Sequence, residues 1–253
     1  MENDAIIEVR DLTVGYDRRA VLEKINFTVK KGEIFCILGG SGCGKSTLLK
    51  HMIGLLPPFS GDVRLFGESM VYADDAARHR LMRRFGVTYQ GGALFGSMTL
   101  LENVELPLAE YTGLSRAERR KVAAEKLAQV DLAGFEDYMP AEISGGMRKR
   151  AGLARALALD PEMLFFDEPS AGLDPITAAE LDRLILKLRD QSGATIVVVT
   201  HDLDSVFAIA DRIIMLSKQD KKIVAEGSPC DLRENADMLW VRNFLTRDGL
   251  SRR

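Results

Sequence analysis

A chain of 253 residues, 46% of them hydrophobic, is long enough for one large α/β domain or two modest ones around a real core. Its 34 lysines and arginines against 37 acidic residues leave a formal net charge of -3, which supplies no basic stripe for nucleic acid, whose binding must neutralise phosphates. No apolar run reaches the roughly 20 residues needed to cross a bilayer, and the opening MENDAIIEVR lacks the basic-then-apolar order of a signal peptide. Any membrane role is therefore expected to run through a partner.

The first stretch alternates like strands in IIEVRDLTVGY, KINFTVKKGEIFCILGG and GDVRLFGE, with turn residues between them. The second of these ends at Gly39 and runs into a loop and a predicted helix, KSTLLKHMIGLL. The Pro57-Pro58 pair stops that helix, since proline donates no N–H and restricts the residue before it. From about residue 91 to 160 the pattern turns helical, with SRAERRKVAAEKLAQV setting Val122, Leu127 and Val130 on one face. EMLFFDE and ATIVVVTHD then give continuous apolar runs, as in strands covered on both faces. Between them a helix is predicted with Asp174 as N-cap, Pro175 in its first turn and Leu181, Leu184, Ile185 and Leu188 along a buried stripe. Strand, helix, strand predicts a parallel pair and an α/β fold. Cys36, Cys43 and Cys230 show neither disulfide parity nor metal-site spacing, which fits a reducing cytosolic compartment. There is no internal repeat, so one catalytic half-unit per chain is expected.

GGSGCGKS, from Gly39 to Ser46, matches the phosphate-loop pattern G-x-x-x-x-G-K-[ST] with an apolar strand before it and a helix after it. Glycines at this spacing (Gly39, Gly40, Gly42 and Gly44 around Ser41 and Cys43) let backbone N–H groups turn inward around phosphate oxygens. The following helix start adds its positive end, with Thr47 in its first turn. In such a loop Lys45 reaches the β- and γ-phosphates and Ser46 is a Mg²⁺ ligand. A merely structural glycine turn would have no use for the lysine and the serine.

MLFFDE, Met163 to Glu168, is an apolar strand ending in two carboxylates at the end of the sheet where open α/β folds bind ligands. Alone it reads as a strand followed by a solvated turn; beside a phosphate loop, Asp167 becomes a Mg²⁺ ligand and Glu168 the group that orients and polarises the attacking water. Together the two motifs predict an NTPase.

Across almost its whole length the chain then resembles the ATP-binding cassette (ABC) family. Tyr16 lies where that family stacks an aromatic ring on adenine, Gln90 in VTYQGG resembles the Q-loop glutamine, which also joins the Mg²⁺ ligands, and ISGGM resembles the signature. SAGLDP, Ser170 to Pro175, resembles the D-loop, and His201 in VVVTHD the switch histidine. Alone, a tyrosine after a strand reads as packing and a histidine there as a polar cap. The resemblance implies a P-loop NTPase (RecA-like) α/β core with an N-terminal antiparallel β-subdomain and an inserted α-helical subdomain. The expected divisions are 1–90 for the β-subdomain and first half of the core, 91–160 for the helical subdomain, 161–228 for the second half of the core, and 229–253 for a C-terminal tail. It further implies ATP and Mg²⁺ as ligands and a homodimer in which the signature of one chain covers the ATP on the phosphate loop of the other. Ser144 would donate its hydroxyl, Gly145 and Gly146 would allow close backbone approach, and a helix from Met147 to Leu159 would point its N-terminus at the γ-phosphate.

Met147 stands where the family commonly carries glutamine. Methionine is as long and unbranched and a comparable helix former, so hydrolysis is expected to survive the exchange. The Arg148-Lys149-Arg150 run after it reads as a solvated helix face. Met147, Gly40, YQGGALF and MTLLENVELPLAEYTGLS together resemble the branch that serves MCE-associated lipid transporters, the Mla phospholipid system of Gram-negative bacteria among them. That branch implies an inner-membrane permease, an MCE-domain lipid-binding protein reached through it, a small STAS-domain subunit, and a place on the cytoplasmic face of the inner membrane. In GGALFGSMTL, Leu94, Phe95 and Met98 are either the apolar surface that receives the permease's coupling helix or subdomain core. VRNFLTRDG resembles the branch's C-terminal segment, which in some members helps hold the dimer; by itself 231–253 reads as a short amphipathic helix and a frayed end.

A cassette acting on ribosomes or chromosomes would carry two cassettes or a long heptad insertion, and a basic surface, none of which is here. The ATPase of an amino-acid or metal-ion importer would share every one of these residues, and it stands as the alternative. A non-enzymatic scaffold would lack something that hydrolysis needs, and nothing is missing.

Overall fold

The computed structural model describes residues 5–247; the frayed end and the last part of the tail expected above lie outside them. Two compact units form, one from residues up to Arg78 together with those from Thr195 onward, the other from His79–Ala194.

The first unit begins with β1 (Ala5–Tyr16) and β2 (Arg19–Lys30), an antiparallel hairpin whose inward residues Ile7, Leu12, Val14, Leu22, Ile25 and Val29 are fully buried. β3 (Ile34–Gly39) has no exposed residue from Ile34 to Leu38, the mark of a strand covered on both faces. It leads through the glycine loop into α1 (Lys45–Met52). That helix is shorter than the sequence predicts: Gly54, at φ 75°, turns the chain before the Pro57-Pro58 pair is reached. β4 (Ser60–Leu65) joins the open edge of β1, and β5 (Glu68–Ser69) pairs with β4, giving a four-stranded antiparallel sheet in the order β2-β1-β4-β5. α2 (Asp75–Met82) follows.

In the second unit β6 (Phe85–Thr88) runs parallel to β7 (Met163–Asp167), with Phe85 opposite Met163 and Thr88 opposite Phe166. Between them come α3 (Leu100–Tyr111), α4 (Arg116–Gln129) and α5 (Gly145–Ala156). Reciprocal capping boxes, Thr99 with Glu102 and Ser115 with Glu118, start α3 and α4. α5 crosses β6 so closely that a Cβ on Gly86 would stand 2.2 Å from the Ala156 carbonyl oxygen. α6 (Pro175–Ser192) opens as predicted: both N–H groups of Ile176 and Thr177 donate to the Asp174 carboxylate at 3.1 Å. Gly193, at φ 67°, closes it.

The chain then returns to the first unit. β8 (Thr195–Val199) pairs parallel with β3, Ile37 opposite Val199. α7 (Leu203–Ile209) leads to β9 (Arg212–Ser217), parallel to the other edge of β3, and β10 (Lys222–Gly227) lies antiparallel on β9. α8 (Pro229–Asn235) and α9 (Leu239–Thr246) end the described chain. Val241 and Leu245 of α9 are buried, whereas Leu239 and Trp240 are exposed, so the short amphipathic helix expected in this tail is present.

Candidate functional site

In the first unit the site grows from the carboxyl ends of parallel strands. Gly39 lies two residues beyond Ile37, and His201 two beyond Val199, its partner in register, so the loop and the histidine leave the same sheet edge. Gly39 has no room for a side chain: a Cβ would meet Cys43 Sγ at 2.5 Å and the Leu216 carbonyl oxygen at 2.8 Å. Gly42 (φ 73°) and Gly44 (φ 105°) turn the loop, and a Cβ on Gly44 would meet Val21 Cγ1 at 2.7 Å. Gly40 is exposed with open space around its Cα, Ser41 is exposed and Cys43 is buried. Lys45, only 8% exposed, curls back so that Nζ donates to the Gly39 carbonyl at 2.9 Å. Ser46 is half-buried and Thr47 buried.

His51, unforeseen from sequence, holds the other end of α1. It is 1% exposed, with Nδ1 2.7 Å from the Thr47 carbonyl oxygen, and burial holds its pKa below the ordinary imidazole value. Tyr16, exposed at the end of β1, meets the His51 ring edge-on at 6.5 Å between centroids. A tight turn sets it there, since a Cβ on Gly15 would lie 2.0 Å from the Arg19 carbonyl oxygen.

The second unit repeats the pattern. Gln90 and Glu168 each lie two residues beyond paired positions, Thr88 and Phe166, so both leave one edge of the β6/β7 pair. Gln90 is exposed; Asp167 and Glu168 are half-buried, and Glu168 adopts a left-handed φ of 51°. Ser144 caps α5 by accepting the Met147 N–H at 3.2 Å. A Cβ on Gly145 would meet nothing nearer than Arg148 Nη2 at 3.9 Å, whereas one on Gly146 would stand 2.7 Å from Thr177 Cγ2 at the start of α6. The second signature glycine is thus required by packing within this chain. The observed helix begins at Gly145 and ends at Ala156, earlier at both ends than the expected 147–159.

The Arg148-Lys149-Arg150 run is not a solvated face. Arg148 Nη1 donates to the Ile143 carbonyl at 3.1 Å, and Arg150 bridges Asp131 at 3.1 Å and Glu180 at 2.8 Å. Lys149 Nζ donates to the carbonyls of Pro169 at 2.6 Å and Glu168 at 3.3 Å. Composition marked these residues only as charged; their partners are 5 to 30 residues away, beyond the reach of a local pattern. Arg155 was missed for the same reason. Its guanidinium donates to the carbonyls of Gly92 and Ala93, both at positive φ, and so fixes the bend just after Gln90. The fully buried Asn103 staples the next stretch, accepting from the Phe95 N–H at 2.7 Å and donating to the carbonyls of Phe95, Met98 and Thr99. That leaves Phe95 55% exposed and Leu94 and Met98 half-buried, so this stretch is surface rather than core.

The residues present fit an anionic phosphate chain and a hard divalent cation. The N-cap of α1 is a glycine without a side chain to cap the helix, and a buried lysine closes the loop. The hydroxyl, amide and carboxylate of Ser46, Gln90 and Asp167 are all oxygen donors, the kind Mg²⁺ takes. No cluster of three or more His, Cys, Asp or Glu side chains suited to a metal occurs among the described residues.

Residues 22–171 match the family model for ABC transporters. The chain is 43% identical over 239 residues to a probable ribonucleotide transport ATP-binding protein, mkl, of Mycobacterium tuberculosis, an alignment covering 94% of this chain and 66% of that protein. It is 40% identical over 246 residues to the intermembrane phospholipid transport system ATP-binding protein MlaF of Escherichia coli K12, covering 97% of this chain and 90% of the other. Among solved structures it is similar to a dimeric ATP-binding cassette in a post-hydrolysis state bound to ADP and Pi (TM-score 0.79, 34% identity, 88% of this chain and 98% of that one). It is also similar to a Clostridium perfringens component of an ABC transporter complex (TM-score 0.82, 29% identity, 98% of each). With a family model over more than half of its length and near full-length relatives of this identity, the chain belongs to the ABC transporter family.

Proposed function

We propose that the chain is the ATP-hydrolysing subunit of an ABC transporter that moves phospholipid between the inner and outer membranes and so maintains outer-membrane lipid asymmetry. The alignment with MlaF over 97% of this chain and 90% of that protein is the observation that carries this reading. The mycobacterial relatives named for ribonucleotide transport are longer proteins, about two thirds of whose length this chain spans.

Two copies face each other around two ATPs, as the dimeric form of a 34% identical cassette supports. Tyr16 stacks on the base; the amides of Gly39 to Thr47 and Lys45 hold the phosphates; Ser144, Gly145 and Gly146 of the second copy cover them. Ser46, Gln90 and Asp167 hold a Mg²⁺ ion, which when bound neutralises phosphate charge. Glu168 orients and polarises the attacking water, His201 contacts the γ-phosphate, and Gln90 senses it. Residues 1–90 carry the antiparallel β-subdomain and the first part of the core, 91–160 the helical subdomain with the signature, 161–228 the second part of the core and 229–253 the tail. The chain works from the cytoplasmic face beneath a permease, docked through the exposed surface around Phe95; no helix among the described residues is long and apolar enough to cross a membrane. An MCE-domain protein and a small STAS-domain subunit complete the assembly.

The test is a deletion strain. Loss of the gene should place phospholipid in the outer leaflet of the outer membrane and sensitise cells to detergent, with rescue by the wild-type gene and none by Lys45→Ala. Unchanged lipids together with lost uptake of one amino acid, metal ion or nucleotide would replace the lipid reading with that of an importer.

A further inference from the structure

The turn after β7 holds a conformation that its own sequence does not favour. Glu168 has φ 51°, a left-handed region that disfavours a residue with a side chain. Pro169 adds to the conflict, because a proline biases the residue before it toward extended backbone. The surroundings must therefore impose the turn. The Ala171 N–H donates to the Glu168 carbonyl at 3.2 Å, closing it from within. A second restraint comes from α5, where the Lys149 ammonium donates to that carbonyl and to the next one, on Pro169. Leu153, Phe166 and Leu181 line the small cavity at its stem. Burial lowers the pKa of this lysine while the negative charge of Glu168 raises it, so ammonium and carboxylate sense each other across the turn.

We propose that Lys149 is a positioning residue for Glu168: its ammonium clamps two successive carbonyls, holds the turn against its backbone preference and thereby sets where the carboxylate points. The inference rests on the reading of Glu168 as the group that orients water. It also links that carboxylate to the helix that Ser144 caps, since a shift of α5 carries the clamp with it. Lysine suits the task because it offers three donors and no acceptor on a stem long enough to reach from the helix.

Lys149→Met keeps the stem and removes the clamp. In the full chain, kcat for ATP hydrolysis should fall by about ten- to a hundredfold, the range expected when a catalytic group is displaced by an ångström, with KM for ATP and the thermal midpoint near wild type. Lys149→Arg should recover most of the rate. In a Glu168→Gln background, single-turnover hydrolysis should show no further loss from Lys149→Met, because no carboxylate remains to be placed. Wild-type kcat in Lys149→Met, or an equal loss in both backgrounds, overturns the clamp. Should Lys149→Met fail to fold, Lys149→Gln carries the same comparison, and wild-type kcat there overturns it equally. Wild-type turnover in Glu168→Gln alone would instead remove the reading of Glu168 beneath it, which separates the two failures.

Discussion

The loop from Gly39 to Thr47 and the turn from Asp167 to Ala171 both deliver charged side chains at the carboxyl end of a buried strand, yet they are built on opposite plans. The loop carries its geometry in its own residues: Gly39, Gly42 and Gly44 stand where φ is positive, and Lys45 bonds back to Gly39, six positions away. The turn has no glycine at its left-handed residue and is held by a lysine 19 positions upstream. A phosphate-binding loop must present its backbone, which only glycines expose, whereas the turn presents a side chain, so its backbone can be restrained from outside.

The largest effect expected on this contrast is at Glu168. Glu168→Gln should leave ATP binding intact and lower hydrolysis by about 10²-fold or more, because an amide neither accepts the proton nor polarises water as a carboxylate does. ATP-bound dimers should accumulate, visible by size-exclusion chromatography. On the loop side, Gly44→Ala should cost about 1–3 kcal/mol of stability by thermal denaturation and weaken nucleotide binding. Its φ of 105° and the 2.7 Å approach to Val21 leave the methyl no place.

Gly146 sharpens the contrast, since it is a glycine demanded by a neighbour rather than by its own backbone. Gly146→Ala should destabilise the chain by about 1–2 kcal/mol through overpacking against Thr177 Cγ2. Thr177→Ser removes that methyl and keeps the hydroxyl on Asp174, so it should restore most of the loss; no restoration would mean that the glycine answers to something else. The smallest effect is expected at Met147. Glutamine matches methionine in length and helix propensity, and Met147→Gln should change the ATPase rate by less than about tenfold, or ~1.4 kcal/mol in barrier.

These differences track what the sequence made legible. The loop, the Asp174 cap and the buried strands β3, β7 and β8 were readable because each is encoded by residues adjacent in the chain. β6 escaped because it is four residues long and contains Gly86, whose role is to let α5 approach. The restraints from Lys149, Arg155 and Asn103 escaped because a charged or amide side chain declares nothing of its partner until the fold brings a carbonyl to it. Gly146 reads in the sequence as a ligand contact, and its packing role exists only once the fold brings Thr177 of α6 beside it.

In the function proposed above, each ATP is hydrolysed between the phosphate loop of one copy and the signature of another. Lys45→Ala and Ser144→Arg should each be inactive alone. Mixed under conditions where subunits demonstrably exchange, they should recover part of the ATPase activity, since a mixed dimer keeps one site with an intact loop and an intact signature. No recovery in a fully exchanged mixture would contradict the claim.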